Sequence, residues 1–167
     1  MFELKRLSPD GVERALEKVE RYRLLNEPWQ AESICRDVLT VDPANQHALT
    51  ALVLAISDQF RTEGGASRAP EATALLAQIA DEYARCYYAG IICERRGTAQ
   101  IARHAIGGGE IAYDWLRRAM EWYEKAERMR PTGNYDALLR WNTCVRVIER
   151  HPDVRPGEPD NTPLPLE

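Results

Sequence analysis

Apolar residues recur every three or four positions through most of this chain and almost nowhere at every second one. That period belongs to α-helices, so the pattern predicts an all-α fold of antiparallel helical hairpins. The first helix starts at Ser8-Pro9-Asp10, with Ser8 as N-cap and Pro9 at the first helical position. It continues through Leu16, Val19, Tyr22, Arg23, Leu24 and Leu25. Asn26-Glu27-Pro28 breaks it, because the residue before a proline is pushed out of the α region. Pro28 opens a second helix carrying Ala31, Ile34, Cys35, Val38 and Leu39, which Asp42-Pro43-Ala44-Asn45 ends. Asn45 is placed to cap a third through Leu49, Leu52, Val53 and Ile56, to about Phe60.

A loop follows over 61–67. Beyond Pro70 no proline occurs before the glycine triplet at 107–109. Ala72, Leu76, Ile79, Tyr83, Tyr87, Gly90, Ile91, Ile101, Ala102 and Ala105 keep helical spacing there. One long helix is therefore expected from Pro70 to about Ile106, with any bend near Gly97. Gly107-Gly108-Gly109 stops it. A helix of about 20 residues follows, with Ile111, Trp115, Ala119, Trp122, Tyr123, Ala126 and Met129 on one stripe. Pro131-Thr132-Gly133-Asn134 is a turn. The last helix holds Leu138, Trp141, Val145 and Ile148 and stops before Pro152. The organisation expected is one helical domain over 1–152 and a proline-rich, extended tail over 153–167. The tail is read either as an unordered end or as a segment lying on this protein's own groove or a neighbour's.

Two of these helices carry the same spacing. Ala31, Cys35, Val38 and Pro43 repeat as Ala119, Tyr123, Ala126 and Pro131. The pattern resembles the second helix of a tetratricopeptide repeat (TPR), a helix pair of about 34 residues. On that frame the first pair runs from about Val12 to Asn45, with Tyr22 on the family's tyrosine position. Val19 stands where its glycine usually is and Cys35 where its aromatic is. Gly90 suits the glycine position of a third unit. Cys93 and Ala119 are 26 residues apart, where the repeat needs about nine, so that unit carries an insertion of about 17 residues. The insertion is expected to lengthen both helices into a hairpin with the glycines at its tip. The helix after Tyr135 is expected to cap a short TPR-like α-solenoid.

The resemblance implies a non-catalytic scaffold that binds a protein or peptide partner in a groove lined by first helices. The inward positions it implies are Glu13, Leu16, Glu20 and Arg23, then His47, Thr50, Leu54 and Ser57. Partner contacts are expected from Leu16, Arg23, His47 and Leu54, with Asn142 facing either the groove or the turn at 131–134. This set is mixed in charge, so it does not support capture of a C-terminal carboxylate.

Composition narrows the classes further. The chain has 167 residues, 44% hydrophobic and 29% charged, with net charge −4. That balance argues against a dedicated nucleic-acid binder, whose footprint is usually basic. No apolar run approaches the roughly 18 residues of a membrane span, and the N-terminus lacks a signal-peptide core. A cytoplasmic location is expected. Cys35, Cys86, Cys93 and Cys144 form no C-x-x-C pair and read as core residues. His47, His104 and His151 read as surface residues without ligand spacing, so no metal or cofactor is expected. The glycine triplet follows a helix and precedes no Lys-Ser or Lys-Thr pair, so it is not a phosphate loop. No nucleophile–base–acid set has usable spacing, and an enzyme is not expected.

One local excess stands out. Between Arg85 and Arg118, six arginines (85, 95, 96, 103, 117, 118) face Glu94, Glu110 and Asp114. Arg95, Arg96, Arg103 and His104 are expected to form a basic surface on the long hairpin, either a solvated face or a dock for an acidic partner. The alternatives to the scaffold are a self-assembling homo-oligomer and an anion or RNA binder working through that surface.

Overall fold

The computed structural model describes residues 2–157. Seven α-helices occur among them: α1 (Val12–Leu24), α2 (Pro28–Val41), α3 (Gln46–Asp58), α4 (Ala69–Leu75), α5 (Glu82–Arg103), α6 (Gly108–Arg128) and α7 (Asp136–Arg150). No strand is present among the described residues. The fold is all-helical, and each helix packs on its successor in the chain.

α1 and α3 also touch each other, and so do α3 and α5, so these three lie side by side. On another face, α2 is tied to α4 by ion pairs. Arg68 Nη2 meets Glu32 Oε1 at 2.6 Å, and Arg36 reaches both Glu32 and Glu71. One core joins Val19, Cys35, Leu49, Ile56, Phe60, Ile79 and Ile92 across α1–α5. A second joins Cys86, Ile91, Leu116, Tyr123 and Cys144 across α5–α7.

Several caps follow the sequence. Asn45 Oδ1 accepts from the Ala48 amide at 2.9 Å, and Pro28 stands at the first turn of α2. Ser8 precedes a short 3₁₀ turn (Pro9–Gly11) that runs into α1, but its side chain makes no capping bond.

The expected single helix over 70–106 is instead two. α4 ends at Leu75, a 3₁₀ turn covers Leu76–Gln78, and Ile79 is extended before α5 begins. Ile79 drops into the core while Asp81 caps α5, its carboxylate accepting from the Ala84 amide at 2.7 Å. Side chains satisfy the freed backbone. Gln46 Oε1 accepts from Ala80 N at 2.8 Å, and Arg85 Nη1 donates to the Ile79 and Ala80 carbonyls at 2.8 and 2.9 Å. Helical spacing survives the break because Ile79 and Tyr83 both turn inward, each onto one of the two cores.

α5 runs unbroken through Gly97 to Arg103, and left-handed His104 closes it. Gly107 is also left-handed at φ +73°, a conformation glycine adopts without a Cβ clash. Gly108 and Gly109 already belong to α6. The α5–α6 hairpin is the longest of the fold, with helices of 22 and 21 residues.

Packing continues past Pro152. Val154 is buried in the second core, and the Asp153 carbonyl lies so close to Gly109 that any Cβ there would collide with it. The rest of the tail, residues 158–167, lies outside the described residues. No helix among the described residues is long and apolar enough to cross a membrane.

Candidate functional site

The side-by-side helices α1, α3 and α5 present a half-buried polar ladder. Its centre is Asp58, at the C-terminal end of α3. Arg23 Nε donates to Asp58 Oδ2 at 2.8 Å from α1, and Arg95 Nη2 pairs with Oδ1 at 2.6 Å from α5. Arg95 Nη1 also donates to the Leu54 carbonyl at 2.9 Å and to Ser57 Oγ. Ser57 turns its own proton back to the Val53 carbonyl at 2.6 Å. Burial pulls the Arg95 pKa down, against the attraction of Asp58.

Glu94 anchors the adjoining rung and is only 6% exposed. Arg140 Nη1, on α7, donates to Glu94 Oε1 at 3.0 Å. Tyr123 Oη, on α6, donates to Oε2 at 2.6 Å. A carboxylate this deep is tolerated only when paired and hydrogen-bonded. Burial, with the Glu94 charge beside it, holds the Tyr123 phenol far above its usual range. Burial opposes the Arg140 charge most strongly of any single effect, but Glu94 together with Tyr87 and Tyr123 outweighs it, and its pKa is raised.

Tyrosines continue the face. Tyr83 and Tyr87 stack with ring centroids 6.0 Å apart, and Tyr88 sits edge-on to Tyr87 at 5.3 Å. Tyr83 Oη donates to Asn134 Oδ1 at 3.0 Å, which also accepts from the Asp136 amide at 2.9 Å. Asn134, not Asn142, is therefore the asparagine that fixes the turn before α7.

At the α1 end the charge reverses. Glu13, Glu17, Glu20, Leu16 and His47 line a cavity of about 240 Å³. His47 Nε2 lies 3.1 Å from Glu20 Oε1. The face thus runs from acidic along α1 to a region holding Arg23, Arg95 and Arg140 against Asp58 and Glu94, a balance of 3 − 2 = +1.

The expected partner contacts separate in space. Arg23 and His47 stand on the face, and Leu54 is half-buried beneath it. Leu16 is buried against Val38 and Ala48, so its expected role as a contact shrinks to lining the acidic cavity. Asn142 lies on α7, half-buried.

The expected basic surface splits. Arg95 turns inward to Asp58 and its side chain is only 18% exposed, because an arginine here completes the α1–α3–α5 ladder. Arg96 points elsewhere and lays its guanidinium 3.5 Å from the centroid of Trp115. Arg103 and His104 are exposed at the end of the hairpin.

Sequence reasoning did not single out Asp58, Glu94 or Arg140 as site residues. Glu94 left a trace: it falls on the apolar stripe Tyr83, Tyr87, Gly90, where a charge demands a partner. Asp58 and Arg140 left none, since their meaning lies in contacts between helices. Comparison of the chain with protein-family models, curated proteins and solved structures found no match.

Proposed function

We propose that this chain is a TPR-like helical-repeat scaffold that holds an extended segment of a protein partner across the face of α1, α3 and α5. The observation that carries this reading is the ladder Arg23–Asp58–Arg95, which couples three side-by-side helices before any partner arrives. A groove whose side chains are already held loses little entropy on binding. Two further features support the repeat reading. α1 and α2 form one helix pair, and the ion network of Glu32, Arg36, Arg68 and Glu71 ties α2 to α4. The chemistry is recognition, without bond making.

The face also suggests the partner's polarity. A cationic residue of the partner suits the Glu13, Glu17 and Glu20 end, and an acidic one suits Arg140. The Arg140 side chain is 37% exposed even while bound to Glu94.

Affinity capture from the native host's lysate tests the reading. Wild type is run beside Glu17→Lys/Glu20→Lys, whose side chains are exposed and lie outside the ladder. A specific protein held by wild type and lost by the variant is the expected result. Equal retention by both would exclude the α1–α3–α5 face as the binding surface.

One observation favours self-assembly as a second reading. Leu24, Leu25 and Trp29 gather exposed apolar surface at the α1–α2 turn, each at least 60% exposed. Light scattering separates the two readings. A dimer abolished by Leu24→Ser/Trp29→Ser supports assembly, and a monomer at high concentration rejects it.

A further inference from the structure

Arg96 is half-buried on α5 and meets no carboxylate. Like most arginines of the chain, Arg96, Arg103 and Arg118 are in no ion pair among the described residues; what sets them apart is where they gather. These three converge on one trough. Arg96, Gln100, Arg103, Ser67 and Trp115 line a cavity of about 320 Å³. A second, of about 270 Å³, shares Arg96 and Trp115 and adds Arg118, Leu76 and Trp122. No carboxylate lines either cavity. In a chain of net charge −4, this is a local cationic site with apolar flanks.

The indole of Trp115 organises the cations. Arg96 sits 3.5 Å and Arg118 5.0 Å from its ring centroid. A guanidinium stacked on an aromatic ring keeps its N–H fork free for an anion, and its planar geometry matches a carboxylate. Burial lowers the Arg96 pKa, yet an arginine stays protonated in a protein, so the charge stands half-desolvated and uncompensated. That arrangement favours an incoming anion.

The aromatic surface selects among anions. Single-stranded nucleic acids bind by stacking bases on open aromatic faces. Here Arg96 and Arg118 occupy Trp115, and Lys125 covers Trp122 at 5.3 Å. Spacing selects further. Arg96 and Arg103 are two helical turns apart on one helix, about 10.5 Å. A peptide in the extended polyproline II form has three residues per turn and advances about 3.1 Å per residue, so carboxylates three residues apart lie on one side, about 9.3 Å apart, and reach both forks.

We infer that this trough docks an extended acidic segment of a protein partner, carrying Asp or Glu at positions i and i+3 with a Leu, Ile or Phe beside them. The carboxylates pair with Arg96 and Arg103, and the apolar side chain rests on Leu76. The trough is built from α5, α6, α4 and the short segments on either side of α4, apart from the α1–α3–α5 face, and its binding is independent of that groove.

The test uses the full chain and fluorescein-labelled 12-residue peptides with Glu at i and i+3 and Leu at each intervening position in turn. Peptides with Lys at the same two places and a 12-nucleotide oligothymidine serve as comparators. Fluorescence anisotropy is expected to detect the acidic peptides. Arg103→Gln should weaken them by about ten-fold, and Arg96→Gln/Arg118→Gln by more. Raising salt from about 0.05 to 0.5 M should weaken them too, since the contacts are partly exposed. Thr40→Ala, exposed on α2 outside both surfaces, should leave binding unchanged. Arg103 is exposed and unpaired, so Arg103→Gln decides the matter if the double variant fails to fold. No binding by any acidic peptide, equal binding by Arg103→Gln, or displacement of the peptide by oligothymidine at lower concentration would overturn the inference.

Discussion

Tyr123 Oη donates a 2.6 Å hydrogen bond to Oε2 of Glu94, joining α6 to α5 through a carboxylate that is almost fully buried. Arg140 supplies the compensating charge from α7. The two partners are not equivalent. Tyr123→Phe removes one donor and is expected to cost about 1–3 kcal/mol. Arg140→Met strands a buried charge and is expected to cost about 3–5 kcal/mol. Urea unfolding of both variants checks the order. A larger loss in Tyr123→Phe would refute the assignment of Arg140 as the charge partner.

The same tyrosine explains a glycine. A Cβ at Gly90 would run into the Tyr123 ring at Cε1 and Cδ1. Alanine normally gains about 1 kcal/mol over glycine inside a helix. Overpacking here is expected to reverse that gain, leaving Gly90→Ala destabilised by about 1–3 kcal/mol. A thermal midpoint at or above wild type would show that α5 and α6 do not approach so closely.

Stability in acid should report on the α2–α4 network. Glu32 accepts from Arg68 at 2.6 and 2.8 Å. The Arg68 fork, against the opposing effect of burial, and then Arg36 and Gln59 hold its carboxyl at about 2 instead of 4.5. A depressed carboxyl pKa stabilises the fold fully above the unfolded value, and the contribution is lost as pH falls through the folded one. Glu32→Gln is therefore expected to cost about 1–3 kcal/mol at pH 7, since partial exposure screens the pair. Calorimetry should show the gap to wild type closing between about pH 5 and pH 2. A gap that stays constant over that range would contradict the network.

All four cysteines are buried. Burial pushes the Cys35 and Cys144 thiols up to about 12 and raises those of Cys86 and Cys93. Thiolate is the reactive form, so a thiol reagent such as Ellman's at pH 8 should find none of them within minutes in the native protein. All four should react in denaturant. Rapid native reaction of any one would place it at the surface.

The helices were legible because each writes its own period and punctuation. Pro28, Asn45 and the glycines after His104 mark turns by local chemistry, and the structure puts breaks there. The break at Leu76–Asp81 was not legible from spacing, because Ile79 enters the core from an extended segment while keeping a helical interval to Tyr83. Asp81 before Glu82 was the available clue, as a capping residue at the head of a helix. The splitting of Arg95 from Arg96 was hidden for another reason. Neighbours on a helix point about 100° apart, and only the positions of Asp58 and Trp115 decide which becomes structural. Counting arginines along the chain finds the excess but not its division between two faces.

The proposed function requires the α1–α3–α5 face to receive a partner. Site-specific photo-crosslinking tests it most directly, with a benzophenone amino acid placed in turn at Glu20, Thr50 and Thr40. Glu20 and Thr50 belong to the face, on α1 and α3, whereas Thr40 is exposed on α2. In lysate of the native host, the same partner should be captured from Glu20 and from Thr50 but not from Thr40. Capture from Thr40 alone, or only of further copies of this chain from Glu20 and Thr50, would contradict the groove as the binding surface.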